Sequence, residues 1–355
     1  MRCATQVLRE LVFALASIAC VAISSRTAWT DWTVTPRGAV ALTAGSVTGI
    51  QEFSGVTYLG PADGGLERFA AIQDDGNLIV VFDVSVAADG ALKSATAVGK
   101  RSIAPAADYE GIVFTGATRN TVFVSEESTP GVHEHSLVTG RRLQTVAVAD
   151  IYSSRRSNKG FEALARSASG GVMWTVNEEA LRSDGPIATQ DASTVVRLQR
   201  IADSGTGTTA GPQYAYRVEP IHAGGIGAAS GVTELVMLPD DTLLSLERSS
   251  IAGMPLFRSS IFAIDFDGAT DISGAEFADG LVGKGYTPVR KKQLWSGQIG
   301  GAAGQGANFE GLTVGPRLAN GNWLLLGVID NGGPGAATPI VSFELVPSAA
   351  NRTGR

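Results

Sequence analysis

The stretch Phe161-Glu162-Ala163-Leu164, followed by Met173-Trp174-Thr175-Val176-Asn177-Glu178, shows the unit from which this chain is built. A glutamate opens one apolar run, and an acidic residue closes the next run one hairpin later. Further copies are Tyr109-Glu110-Gly111-Ile112 with Glu126, Thr233-Glu234-Leu235-Val236 with Glu247, Phe309-Glu310-Gly311-Leu312 with Asp330, and a degenerate Phe53-Ser54-Gly55-Val56 with Asp74. A recurrence of this period is typical of repeat architectures.

Each hairpin is followed by more apolar runs of strand length. A third run follows every copy, at Leu78 to Val84, Val132 to Val138, Thr194 to Leu198, Ile261 to Phe266 and Pro339 to Leu345. A fourth follows most copies, at Ala91 to Val98, Leu143 to Ala149, Tyr214 to Val218 and Lys291 to Trp295. Four strands per unit is the content of one β-propeller blade, so the sequence predicts an all-β propeller.

The last unit lacks a fourth strand after Leu345, and the N-terminal run Trp32 to Leu42 can supply it. The prediction is therefore five four-stranded blades, closed by the N-terminal strand so that no long edge stays exposed. Six blades are the alternative, because the copies become more widely spaced toward the C-terminus. We interpret Ala202 to Gln213 and Gly268 to Thr287, both rich in glycine, as insertions that account for the wider spacing.

Composition supports a well-packed β protein. The 355 residues are 44% hydrophobic and 17% charged, and 44 glycines suit many tight turns. The formal net charge of -6 argues against a nucleic-acid partner, which would favour a basic face. We expect a monomer.

The N-terminal residues 1–28 are predicted to be a secretory signal peptide, because Arg2 and Arg9 precede the short apolar run Leu11 to Ile23. The run is too short for a confident membrane span, so no transmembrane domain is expected. Both cysteines, Cys3 and Cys20, fall in this leader. The expected location is secreted or periplasmic, with a lipoprotein anchored at Cys20 as the weaker alternative.

The repeated acids are predicted to meet at one mouth of the propeller channel. The first strand of a blade lines the channel, and the second runs antiparallel beside it, so the opening and closing acids share one rim. The candidate metal ligands are Glu110, Glu162, Glu234, Glu310, Glu126, Glu178, Glu247 and Asp330. Oxygen-only ligands favour a hard cation, and calcium is the predicted cofactor. In the alternative, these acids cap strand backbone or pair with arginines.

Basic residues fall beside the same acids. Arg156, Lys159, Arg182 and Arg248 are the candidate catalytic residues, because arginine and lysine bind phosphate or carboxylate oxygens. The alternative is that they only balance the acids. Other chemistries have little support, since the sequence has no Gly-x-Ser-x-Gly motif and no P-loop, and its histidines lack metal-ligand spacing.

The segments Asn158 to Ala165, Trp174 to Glu178, Leu246 to Arg248 and Asn308 to Leu312 resemble the family called esterase-like activity of phytase. The resemblance implies a secreted bacterial β-propeller with phosphoesterase or esterase activity, as one phytase-like domain over residues 29–347 with a tail at 348–355. The chain departs from the family pattern at Ser54, Ala163 and Leu235. These departures favour a lopsided cluster of carboxylates over a symmetric ring.

The leading hypothesis is a calcium-dependent hydrolase of phosphate esters or related esters, with its site at the channel mouth. The alternatives are a non-catalytic propeller that binds a ligand or partner around a structural cation, and a lactonase-like hydrolase.

Overall fold

The computed structural model describes residues 31–74, 76–252, 256–300, 305–333 and 337–347. The predicted leader and tail, residues 1–28 and 348–355, lie outside these ranges. The described residues form twenty strands, three short 3₁₀ turns and no α-helix. No helix within them is long and apolar enough to cross a membrane. The all-β prediction is confirmed.

The strands follow one another in four-strand units, each an antiparallel meander. The first unit is β2 (Phe53–Ala62), β3 (Leu66–Gln73), β4 (Gly76–Val86) and β5 (Leu92–Ala107). The second is β6 (Tyr109–Phe114), β7 (Thr121–Glu126), β8 (Gly131–Ser136) and β9 (Arg142–Val146). The third is β10 (Phe161–Arg166), β11 (Val172–Asn177), β12 (Thr194–Asp203) and β13 (Thr208–Val218).

The fourth unit is β14 (Ala229–Met237), β15 (Leu243–Ser250), β16 (Phe257–Asp265) and β17 (Arg290–Gly297). The fifth combines β18 (Asn308–Arg317), β19 (Trp323–Asp330) and β20 (Pro339–Pro347) with β1 (Trp32–Thr43) from the N-terminus. Strand β1 pairs antiparallel with β20 over most of its length. The N-terminal strand therefore takes the place that the sequence predicted for it.

The first and fifth units join into one eight-stranded sheet, whereas the other three are separate four-stranded sheets. The junction is a short parallel pairing of β1 with β5, in which Leu42 faces Ala95 and Thr43 faces Thr96. The first strands of the units contact one another in sequence: β2 with β6, β6 with β10, β10 with β14, β14 with β18, and β18 with β2. These inner strands thus close a ring.

The core lies between neighbouring sheets. Trp174 of the third unit stacks on Phe266, which follows β16 of the fourth unit, with ring centroids 4.7 Å apart. Phe69 and Phe82 of the first unit are fully buried in a cluster shared with Leu324 of the fifth. Strand alternation explains this packing, because one face of each strand meets the adjacent sheet.

One predicted insertion is wrong. Residues 202–213 belong mostly to β12 and β13, which lengthen into a long hairpin with a turn between Asp203 and Thr208. The segment 268–287 does leave the sheet. Its apolar residues Ile272, Phe277 and Leu281 are buried in a small cluster with Ala215 of β13.

Candidate functional site

A β-bulge near the start of each inner strand sets the position of the motif acids. In β10, Phe161 pairs with Asn177 and Ala163 pairs with Val176, so Glu162 is the extra residue. The register shifts at the same place in the other inner strands, at Ser54, Thr233 and Glu310, and between Tyr109 and Ile112. Bulges re-aim side chains at functional sites. The structurally equivalent residues are therefore Ser54, Glu110, Glu162, Thr233 and Glu310.

This register removes Glu234 from the predicted set of rim acids. Because Thr233 is the bulge residue, Glu234 occupies the position that is glycine or alanine in the other inner strands. Its Oε1 accepts hydrogen bonds from the backbone N–H groups of Leu164 at 3.1 Å and Leu235 at 3.0 Å, and Leu312 donates a third. Burial raises the pKa of this carboxyl. Glu234 therefore links three inner strands.

Three buried carboxylates meet on the rim: Glu110, Glu127 and Glu162, here called the acidic cluster. Each offers an oxygen, and these oxygens lie within 4.8 Å of one another. The residues are only 6%, 1% and 8% exposed. Glu110 also lies within the same distance of Asp74 and Asp108, which are half-buried. Glu110 is thus common to two groups of acids.

Burial and mutual repulsion disfavour the charged forms of the three acids in the acidic cluster. Burial, together with neighbouring carboxylates, raises the pKa of Glu110 and Glu162 well above the usual range. Burial and Glu178 raise the pKa of Glu127 to about 7. Glu162 Oε2 is buried without a hydrogen-bond partner. Oxygen donors with unmet charge and an unpartnered oxygen fit a hard cation such as calcium.

The repeat pattern predicts Glu126 on the rim, but Glu127 takes that place. Successive strand residues point to opposite faces, so a shift of one residue exchanges the two environments. Glu126 Oε2 lies 2.8 Å from His133 Nε2 of the neighbouring strand. This contact, with Arg142 nearby, outweighs the effect of burial and lowers the pKa of Glu126. The Glu126-Glu127 dipeptide offered both candidates, and only the register distinguishes them.

A second centre beside the acidic cluster holds two of the predicted basic residues. Glu178, which is 1% exposed, forms ion pairs with Lys159 and with Arg248, whose Nη2 lies 2.8 Å from Glu178 Oε1. Arg248 also binds Glu310. Burial opposes the charged form of both bases, but the surrounding carboxylates raise the pKa of Lys159 and of Arg248 above their usual ranges. Both cations remain charged at neutral pH.

Two further predicted acids, Asp330 and Glu247, differ in whether they border the second centre. Asp330 accepts a hydrogen bond of 2.8 Å from Asn308 Nδ2, and Asn308 in turn contacts Arg248. Asp330 thus borders the second centre. Glu247 does not, because Val232 pairs with Glu247 and Gly231 pairs with Arg248, which gives the inward place to Arg248. Glu247 instead binds the Tyr216 hydroxyl and Lys291, and accepts the Glu219 N–H at 2.8 Å.

The remaining predicted bases support a loop. Arg156 donates to the carbonyls of Ala180 at 3.0 Å and Gly185 at 2.9 Å. Arg182 is exposed and donates to the Arg155 carbonyl at 3.4 Å. These contacts hold the segments before and after the β10–β11 hairpin together. Of the four predicted bases, the structure brings Lys159 and Arg248 to the acids.

With this geometry in place, comparison with known proteins identifies the family. The family model named phytase-like, described as esterase-like activity of phytase, matches residues 48–333. The chain belongs to this family. The phytase-like match includes all five inner strands, the acidic cluster, Lys159 and Arg248. No curated protein matches the chain.

Several solved structures show a distant likeness. Hydrazine synthase from Kuenenia stuttgartiensis is 10% identical over 78% of this chain, with a TM-score of 0.37, and the chain spans 64% of that protein's length. The Dos1 propeller is 6% identical over 82% of this chain and 68% of its own, with a TM-score of 0.36. A luciferin-regenerating enzyme is 9% identical over 88% of this chain and 95% of its own, with a TM-score of 0.37. TM-scores this low carry no function to this chain.

Proposed function

We propose that this phytase-like chain is a five-bladed β-propeller that hydrolyses phosphate esters or related esters with the help of a bound divalent cation, calcium in the first place. The ring of inner strands and the pairing of β1 with β20 support five blades closed by the N-terminal strand. The short β1–β5 pairing accounts for the eight-stranded sheet as two joined blades.

One observation carries the proposed activity: the acidic cluster lies beside the half-buried basic side chains of Lys159 and Arg248 at one mouth of the channel. Glu110, Glu127 and Glu162 would hold the divalent cation, and Glu162 Oε2 has no hydrogen-bond partner within the described part of the chain. A bound cation supplies Lewis acidity toward an ester oxygen. The family description is consistent with ester hydrolysis.

Lys159 and Arg248 would bind the substrate's anionic oxygens. Their carboxylate partners fix both side chains, and fixed donors cost little reorganisation when charge develops in a transition state. Arg248 also has the planar, forked donor geometry that matches phosphate. Glu178 binds both Lys159 and Arg248, and its role is to position these two side chains.

The test measures hydrolysis of p-nitrophenyl phosphate and p-nitrophenyl acetate by the full chain, with calcium and with a chelator. We expect activity that requires calcium and falls by about 10²-fold or more in Lys159→Met, because a positioned donor is lost. Lys292→Met is the matched control, since Lys292 is exposed and pairs with Asp31. Full activity in chelator, or none with calcium, would refute the proposal. Calcium stabilisation without any activity would favour the non-catalytic alternative.

We also propose a secreted or periplasmic location and a monomeric state. The charged and apolar pattern of residues 1–28 supports the location. Cell fractionation and the mass of the purified mature protein would test both statements. A full-length protein retained in the cytoplasm would contradict the location.

A further inference from the structure

The channel has a cavity at the end away from the acidic cluster. Its volume is about 370 Å³, and residues from all five inner strands line it. We call it the channel cavity. Volumes of this size fall in the range of small-molecule sites, which are concave and mostly apolar with a few polar groups.

The residues that line the channel cavity occupy equivalent positions in the five inner strands. Two positions after each bulge residue lies an aliphatic side chain, giving the ring Val56, Ile112, Leu164, Leu235 and Leu312. Two positions further lies a second ring, Tyr58, Phe114, Arg166, Met237 and Val314. Side chains two apart on a strand share a face. The first ring is 1–2% exposed and belongs to the cores between blades, whereas the second ring is half-buried and borders the channel cavity. Arg166 is the one charged member of the two rings.

Glu234 separates the channel cavity from the acidic cluster. The N–H groups that it accepts belong to Leu164, Leu235 and Leu312, which are members of the aliphatic ring. Glu234 is 1% exposed, and the inner strands pack closely around it. A ligand in the channel cavity would therefore bind independently of a cation at the other mouth.

Arg166 retains hydrogen-bond donors for a ligand. Its Nη2 lies 3.3 Å from Asp203, and its buried Nε has no hydrogen-bond partner among the residues that the structure describes. Asp203 is also bound by Arg119 Nη1, at 2.8 and 3.1 Å. Asp203 is thus shared between two guanidinium groups. Arg119 does not line the channel cavity.

We propose that the channel cavity binds a small amphipathic carboxylate, with its apolar body against the apolar members of the half-buried second ring and its carboxylate at Arg166. The apolar walls favour a hydrocarbon or aromatic body. The donors of Arg166 favour an anionic head over a neutral one, because hydrogen bonds to charged groups are the stronger ones. Trp323 also lines the channel cavity and reports its occupancy.

The experiment titrates the full chain with octanoate and with 1-octanol as probes, followed by Trp fluorescence and calorimetry. We expect octanoate to bind at least about tenfold more tightly than octanol. Arg166→Met should remove this preference. Arg258→Met, an exposed matched control that does not line the channel cavity, should keep it. A chelator should leave octanoate binding unchanged, which separates this site from the proposed hydrolase site.

Met237→Trp places a bulky side chain in the wall of the channel cavity at a half-buried position. We expect it to abolish octanoate binding while a cooperative thermal melt shows that the variant folds. Val314→Trp offers the same test from a different strand. Absence of octanoate binding to the native protein, or undiminished binding in both folded tryptophan variants, would overturn the proposal.

Discussion

The two ends of the channel are made by the same strands, yet they differ completely in chemistry. At one end the bulge residues Glu110 and Glu162 help to form the acidic cluster. At the other, residues only two positions further along, such as Ile112 and Leu164, form an aliphatic ring. A bulge thus allows one short motif to supply both a charged mouth and an apolar lining. Each prediction below perturbs one side of this contrast.

The largest expected effect is at the charged end. Arg248→Met should destabilise the protein by about 3–5 kcal/mol, because it leaves the buried Glu178 and Glu310 short of a counter-charge. Urea unfolding measures the change. Arg258→Met, at an exposed position, is the control and should stay within about 0.5 kcal/mol of the native protein. A loss at Arg248 no larger than the control would show that the charged end is not a coupled network.

The next effect tests how closely the inner strands approach between the two ends. A Cβ at Gly111 would lie 2.5 Å from the Leu164 nitrogen, so backbone must move. We expect Gly111→Ala to cost about 3 kcal/mol, the upper part of the range for overpacking. Gly99→Ala is the matched control, because a Cβ there meets nothing within 4 Å. Equal stabilities for the two variants would mean that the ring is looser than the contacts indicate.

Glu234 forms the boundary between the two ends. Its role as a hydrogen-bond acceptor can be separated from the effect of its negative charge. Glu234→Ala should cost about 2 kcal/mol, because the Leu164 and Leu312 N–H groups lose their acceptor. Glu234→Gln keeps an oxygen acceptor and should stay within about 0.5 kcal/mol. Thermal or urea unfolding compares them. If the glutamine variant is as unstable as the alanine variant, the negative charge itself holds the strands.

The smallest effect concerns pH. The folded pKa of Glu127 is raised from 4.5 to about 7, and burial raises those of Glu110 and Glu162 as well. Stability from such groups is full below the unfolded pKa and is lost as pH rises through the folded pKa. In chelator, the melting temperature should therefore fall between pH 5 and pH 8. Calcium should reduce this fall, and a melting temperature that rises over the range without calcium would contradict the assignment.

Much of the fold could be predicted from the sequence, because strand periodicity and the repeated motif are local signals. The predicted third and fourth strands overlap the observed ones, and β1 occupies its predicted place. The residues of the site could be predicted less completely from the sequence. Placing Glu126, Glu234 and Glu247 on the rim assumed one register for every copy, whereas pairing across the hairpin sets which of two adjacent residues faces the channel.

Fold-level signals also could not show which bases reach the acids. Arg156 and Lys159 both shortly precede Glu162, and Arg182 shortly follows Glu178, but the donors of Arg156 and Arg182 meet backbone carbonyls. These contacts depend on the conformation of the loop, which cannot be predicted from a single sequence. Arg248 was placed correctly, although its neighbour Glu247 was not.

Calorimetric titration with calcium tests the central claim most directly, because the account makes opposite predictions for two glutamates that look alike in sequence. Native protein should bind calcium, Glu162→Gln should lose most of that binding, and Glu234→Gln should keep it. Circular dichroism of each variant verifies that it is folded. Absence of calcium binding to the native protein, or equal binding by Glu162→Gln, would contradict the acidic cluster as the cation site.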